Sequence, residues 1–211
     1  MHTLIVSNLS KTIKKALVLD NINLHMKGGS IYGFVGKNGS GKTMLFRTIS
    51  GLVKPTTGEI IVNGKKLYKE ISFVPNLGLI IENVGLYPEF TGIRNLEMLA
   101  KINNKIDSFR IKESIKRVGL DPEDNRTVKK YSLGMRQRIV LAQALMEYPD
   151  FILMDEPTNG IDDSGVELIR TILQQEAERG AMVAIATHSK EDVEILCDVK
   201  FKMTNGNLEE L

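Results

Sequence analysis

The chain has 211 residues, 42% hydrophobic and 26% charged, which supports a globular core and excludes a disordered or fibrous chain. Twenty-eight Lys and Arg against 26 Asp and Glu leave a net charge of +2, so no field of one sign covers the surface to attract nucleic acid or anionic lipid. The one cysteine, Cys197, excludes an intrachain disulfide, and three histidines beside it form no metal cluster of recognisable spacing; a reducing cytosol fits.

The opening segment places a short apolar run ahead of lysines, the reverse of a secretory leader, and no cleavage is expected. No run approaches about 18 consecutive apolar residues, so the chain is not expected to cross a membrane alone. Residues 3–6 and 22–26 read as short strands, and 31–35 run apolar straight into a glycine-rich turn. From Lys42, the positions Met44, Leu45, Ile49 and Leu52 take helical spacing, which stops near Gly51 and Pro55. Strands are expected at 58–62, 71–74 and 79–81, separated by the Asn63-Gly64 and Pro75-Asn76 turn pairs.

Leu96, Leu99, Ile102, Phe109, Ile111, Ile115 and Val118 return to helical spacing, broken at Asn103-Asn104 and Gly119, and read as a small helical insert. After Ser132 a helix carries Ile139, Val140, Leu141, Ala144 and Leu145 up to Pro149, and residues 151–154 then form a buried-strand run ending in Asp155-Glu156. A helix at about 163–179, a strand at 182–186, a helix at 190–197 and a strand at 199–203 close the pattern. The alternation predicts an α/β fold whose mostly parallel sheet is covered by helices.

Gly36-Lys37-Asn38-Gly39-Ser40-Gly41-Lys42-Thr43 satisfies G-x-x-x-x-G-K-[ST] at every fixed position, between a predicted strand and a predicted helix. Glycines let such a loop turn its amides inward as an anion nest, and the helix N-terminus adds a favourable dipole. Lys42 is then expected to reach the β- and γ-phosphates of a bound nucleotide, and the Thr43 hydroxyl to ligate Mg²⁺. A glycine turn matching by accident would not carry these flanks. Asp155 and Glu156 stand at the carboxyl end of a buried strand, where open α/β sheets bind ligands. Asp155 suits a second-shell Mg²⁺ position, and Glu156 suits the base or water-orienting group that aims a nucleophile at the γ-phosphate.

Between these motifs lies Tyr131-Ser132-Leu133-Gly134-Met135-Arg136-Gln137-Arg138, with Ser132 placed 23 residues before Asp155. It resembles the signature of ABC ATPases, usually LSGGQ. The resemblance implies that Ser132 and Gly134 form a helix N-terminus that binds the γ-phosphate of ATP held by an opposing subunit, so each subunit completes its partner's site. Leu133 stands for the first glycine and Met135 for the glutamine, which leaves close approach to Gly134 and to the Ser132 hydroxyl and amide. Standing alone, the segment would read as a serine N-cap on an amphipathic helix.

Asn159-Gly160-Ile161-Asp162 resembles the family's D-loop, which crosses the dimer interface, and His188 resembles the switch histidine on the γ-phosphate. A histidine after a strand, without that register, would be a capping or solvated residue. Glu82, forty residues after Lys42 and ahead of residues 83–88, falls where the family's Q-loop carries glutamine. A carboxylate there can ligate Mg²⁺ or hold a water, and it adds a negative charge that the metal must offset, so slower or gated hydrolysis is expected. Ile13 stands where the family's adenine-stacking segment usually has an aromatic, so weak discrimination of ATP from GTP is expected.

The resemblance spans residues 3–209 and six motifs in the family's order. It implies one domain over 1–211 with a P-loop NTPase fold: a mostly parallel central sheet, an N-terminal antiparallel β subdomain, and a small helical signature subdomain inserted at about 91–148. It further implies an ATPase that dimerises around two ATP molecules, with a second nucleotide-binding subunit like or unlike itself, and drives separate membrane-spanning permease subunits. Such a chain would be cytoplasmic and peripheral on the inner face of the cell membrane. The surface at 82–95 and the helical insert would receive a short helix of the membrane partner, with Tyr87, Pro88 and Phe90 as apolar contacts; ordinary packing explains the same residues nearly as well. Glu82 and the form of the signature most resemble bacterial exporters of antibiotic peptides or lantibiotics. The alternative is a soluble ABC ATPase outside transport, but tandem domains, sustained heptads and a basic stripe are absent, and no nucleic-acid partner is expected. A small-molecule P-loop kinase would leave residues 132–138 and His188 without roles.

Overall fold

The computed structural model describes residues 2–82 and 85–211. Its strands are β1 (Thr3–Ile13), β2 (Ala16–Lys27), β3 (Ser30–Val35), β4 (Thr57–Val62), β5 (Lys65–Lys66), β6 (Leu77–Ile80), β7 (Phe151–Asp155), β8 (Met182–Thr187), β9 (Val199–Thr204) and β10 (Asn207–Glu210). The helices are α1 (Lys42–Ser50), α2 (Gly92–Asn103), α3 (Ser108–Arg117), α4 (Leu133–Leu145), α5 (Asp163–Glu178) and α6 (Lys190–Leu196). Among the described residues no helix is long and apolar enough to cross a membrane.

An antiparallel sheet has the order β2-β1-β4-β5, and a six-stranded sheet has the order β10-β9-β3-β8-β7-β6. In the second sheet β9, β3, β8, β7 and β6 run parallel, with β10 antiparallel at one edge. Side chains alternate across a strand, so a sheet covered on both faces needs apolar residues at every position. Phe151 and Leu153 of β7, with Met182 and Ala184 of β8, enter one core beside Leu45, Phe46 and Ile49 of α1 and the inner face of the antiparallel sheet. Ile152, Met154, Val183 and Ile185 enter the other core, against the helices α2 to α6. Helix α1 is therefore held between the two sheets, and its first residue is fixed at the end of β3.

The strand expected at 71–74 is not one. Ile71 makes only an isolated bridge to Leu67, Tyr68 N–H donates to Ile71 O at 2.7 Å, and Val74 N–H donates to Ser50 O at 3.4 Å. The segment thus spends its hydrogen bonds on a turn and on the end of α1, and Pro75 has no N–H to continue a ladder. The first two strands are much longer than 3–6 and 22–26. Asn8 and Asn21 take positive φ at 49° and 48°, and the register shifts beyond Val6 break the alternation while Leu9 and Leu19 stay buried. Strand β10 escaped the periodicity because only Leu208 packs against the core, although Asn205-Gly206, at φ 48° and 83°, is a hairpin turn pair.

The register of the parallel strands builds one edge. Val35 lies beside Thr187, and Ala186 lies beside Asp155. Parallel strands bring their carboxyl ends to the same side, so the loop after β3, the Glu156 turn after β7 and the His188 turn after β8 leave the sheet as neighbours.

Candidate functional site

The loop between β3 and α1 is shaped by close backbone approach. A Cβ at Gly36 would lie 2.4 Å from Met203 O and 2.7 Å from Ser40 Oγ, and Gly41 takes φ 111° immediately before α1, so neither position accepts a side chain. Ser40 N–H donates to Lys37 O at 3.1 Å, and Gly206 N–H donates to Ser40 O at 2.9 Å, which braces the loop from the β9–β10 turn. Buried Lys42 folds its ammonium back onto Gly36 O at 2.6 Å and Lys37 O at 3.3 Å. Ser40 is also buried, and its hydroxyl has no hydrogen-bond partner among the described residues. A cation turned onto carbonyls and an unpartnered buried hydroxyl are groups left for an anion to satisfy.

Asn38 to Met44 line a cleft of about 360 Å³ together with Val18, Arg47, Glu82, Asp155 and Glu156. Thr43 Oγ1 donates to Asp155 Oδ2 across its floor. Burial raises the Asp155 carboxyl above the usual range, the Thr43 hydrogen bond and Lys42 pull it back, and Glu156 and Glu82 raise it further. Glu82 reaches this cleft with its charge already met: Arg47 on α1 donates to Glu82 Oε2 at 2.8 Å. The spacing argument left that charge for a metal alone to offset, because a partner 35 residues away on another element cannot be read from one segment.

Glu156 takes φ 52° and donates its N–H to Ala186 O at 2.7 Å. Its Oε2 accepts from Thr187 Oγ1 at 3.2 Å and lies 2.9 Å from His188 Nδ1. The structure therefore brings Gly36 to Thr43, Glu82, Asp155, Glu156 and His188 to one edge of the sheet, with Asp155 on the helix side of the loop and the Glu156–His188 contact beyond it. Val18, Arg47, Thr187 and the Met203–Gly206 turn join them unforeseen; only the Asn205-Gly206 pair carried a sequence signal.

A family model described as ABC transporter matches residues 19–159. This chain belongs to the ABC transporter family. An uncharacterized ABC transporter ATP-binding protein of Bacillus subtilis (strain 168) is 50% identical over 97% of this chain and 94% of its own length. A bacitracin transport ATP-binding protein of Bacillus licheniformis is 38% identical over 94% of this chain and 66% of its own length. Among solved structures, a dimeric ATP-binding cassette in a post-hydrolysis state with ADP and Pi superposes with a TM-score of 0.86 at 25% identity, covering 99% of this chain and 98% of that one. The chain is an ATP-binding subunit of the ABC class and an ATPase.

In this ABC ATPase the remaining motif residues stand apart from the cleft. Ser132 caps α4, its hydroxyl accepting from Met135 N–H at 3.2 Å, and Asp162 caps α5, accepting from Gly165 N–H at 3.2 Å. A Cβ at Gly134 would meet nothing within 4 Å, and Leu133 is 64% exposed with its side chain laid over Gly160. Ile13 ends β1 and is 38% exposed. Tyr87 and Phe90 are exposed and tilt against each other with ring centroids 5.8 Å apart. Residues 83 and 84 of the segment after Glu82 lie outside the described residues.

Proposed function

We propose that this ATPase closes head to tail with a second nucleotide-binding subunit around two Mg²⁺-ATP molecules and, by opening after hydrolysis, drives membrane-spanning permease subunits that export a peptide antibiotic. The observation that carries the hydrolytic part is the strand register, which sets the Thr43–Asp155 pair and the Glu156–His188 contact around one phosphate loop. Lys42 swings from the Gly36 and Lys37 carbonyls onto the β- and γ-phosphates, and the loop amides and Ser40 hydroxyl take the remaining oxygens. Thr43, Asp155 and Glu82 would hold Mg²⁺, which neutralises phosphate charge when bound. Glu156 orients or deprotonates the attacking water while Thr187 and His188 fix its Oε2.

Ser132, Gly134 and Asp162 act across the dimer in this reading, and it is supported by their not lining their own chain's cleft. A groove of about 390 Å³ lined by Arg47, Leu52, Val53, Leu79 and Ile81, with Phe73, Tyr87 and Phe90 exposed, suits a helix of the permease on the inner face of the membrane. The bacitracin transport relative supports the cargo class. Exposed Ile13 offers no stacking face, which supports weak selection of ATP over GTP. The test is Glu156→Gln at saturating Mg²⁺-ATP in the analytical ultracentrifuge. Hydrolysis is abolished and a stable dimer forms; a chain that stays monomeric defeats the two-site mechanism.

A further inference from the structure

Glu156 and His188 of the proposed mechanism stand on short turns that follow different strands, and one buried residue is bonded towards both, by its carboxylate to one and by its backbone N–H to the other. Asp192, on α6, is 5% exposed. Its Oδ2 accepts from Thr158 Oγ1 at 2.8 Å, two residues beyond Glu156. Its backbone N–H donates to Ser189 Oγ at 3.2 Å, and Ser189 N–H in turn donates at 3.0 Å to Thr187 Oγ1, the hydroxyl that holds Glu156 Oε2. Arg170 of α5 neutralises Asp192, donating from Nε at 3.1 Å and from a terminal nitrogen at 2.6 Å to Oδ1.

A buried ion pair is a poor way to stabilise a helix whose neighbours Val193 and Leu196 are apolar, because desolvation consumes most of its attraction. It is a good way to fix a direction. Glu156 holds a left-handed backbone that a non-glycine residue keeps only when its surroundings over-determine it. The Thr158 hydrogen bond supplies that determination from the far side of the turn. We infer that Asp192, held by Arg170, is a positioning residue that locks the Glu156 turn to the His188 turn through Thr158 and Ser189. The inference rests on the roles proposed above for Glu156 and His188.

Thr158→Val removes one hydroxyl and leaves the buried Arg170–Asp192 pair in place, so the fold is retained. In the full chain, kcat for Mg²⁺-dependent ATP hydrolysis falls roughly tenfold or more while KM for ATP stays within about twofold, the pattern of a misplaced reacting group. Thr158→Ser restores kcat. Amide hydrogen exchange of the nucleotide-free chain is the second arm, and in Thr158→Val both 156–159 and 187–189 lose roughly threefold to tenfold protection, the loss of about one hydrogen bond. A kcat within about twofold of the parent, a loss that Thr158→Ser fails to rescue, or unchanged protection of 187–189 overturns the inference. A parent chain without hydrolysis defeats the proposed function instead, and the exchange arm still decides whether Asp192 couples the turns.

Discussion

Glu82 carries a charge into the cleft proposed to accept the polyphosphate, and the Arg47 pair determines how much that charge matters. The two side chains meet at 2.8 Å with 36% and 58% of their surfaces exposed. Opposite charges near 4 Å attract by about 1 kcal/mol in water, and exposed pairs measure about 0.2–1 kcal/mol. Either charge left alone therefore biases ATP binding by up to about 1 kcal/mol, or roughly two- to fivefold in Kd. Glu82→Gln leaves Arg47 unpaired beside the phosphates and tightens ATP binding by that factor. Arg47→Gln leaves Glu82 unpaired and weakens binding by a similar factor, and the double variant returns close to the parent. Titration calorimetry without Mg²⁺, where the metal-ligand role proposed for Glu82 does not enter, measures all four chains. In about 1 M salt, where screening acts within roughly 3 Å, the differences collapse. Single variants that shift affinity in the same direction, or shifts that survive high salt, refute the charge-pair reasoning. If turnover and its Mg²⁺ dependence are both unchanged in Glu82→Gln, Glu82 has no part in the reaction.

Asp155→Asn abolishes Mg²⁺-dependent turnover yet raises the melting temperature of the nucleotide-free chain. Burial lifts the Asp155 carboxyl, so the folded chain binds this proton more readily than the unfolded chain does. Its destabilising contribution is therefore present at neutral pH and is relieved as pH falls through the raised value; the asparagine chain loses that part of the pH dependence, and an unchanged melting profile from pH 4 to 7, a range of about three units above the ordinary carboxylate value, contradicts the assignment. Phe46 is fully buried and meets Phe34 edge-on at 5.4 Å between centroids. Phe46→Ala costs about 3–5 kcal/mol, which in a chain of this size lowers Tm by roughly 6 to 20 °C in a calorimetric scan. Burial pushes the Cys197 thiol up to about 12, so iodoacetamide leaves the folded chain unmodified at neutral pH and labels it fully in urea; rapid native labelling shows an open α6.

The central strands were legible because both faces of β7 and β8 are buried, which writes continuous apolar runs into the sequence. The phosphate loop was legible because its shape demands glycine at Gly36 and Gly41, and a lysine and threonine follow at fixed steps. The failures share a cause. Strand 71–74 has the right residue types, but its hydrogen bonds go to the end of α1, and β1 carries bulges that hide its period. Arg47 and Asp192 belong to no motif, and only the packing of α1 against β7, and of α6 against β3 and β8, sets them beside Glu82 and Thr158.

Four local departures from the folding rules lie at the edge of the sheet that carries the phosphate loop. Glu156 takes a backbone conformation suited to glycine, Asp155 holds a carboxyl that burial disfavours as an anion, Lys42 is buried on carbonyls, and Ser40 keeps an unpartnered hydroxyl. None of them improves the packing of the two cores. A glycine turn present only to join β3 to α1 would need none of them, since Gly51 ends α1 with an ordinary capping bond to Thr48 O. Departures on groups that a triphosphate and its attacking water would contact are what a fold keeps when it gives up stability for a reaction. Ser132 and Asp162 show the opposite character, each a well-formed helix cap with its hydrogen bond complete. Nothing in a single chain sets them apart from structural caps, so their contribution to hydrolysis is measured only where two chains meet: in a mixed dimer, Ser132→Ala in one subunit should silence the site built on the other subunit's Lys42, and loss confined to the mutated subunit's own loop would refute the head-to-tail arrangement.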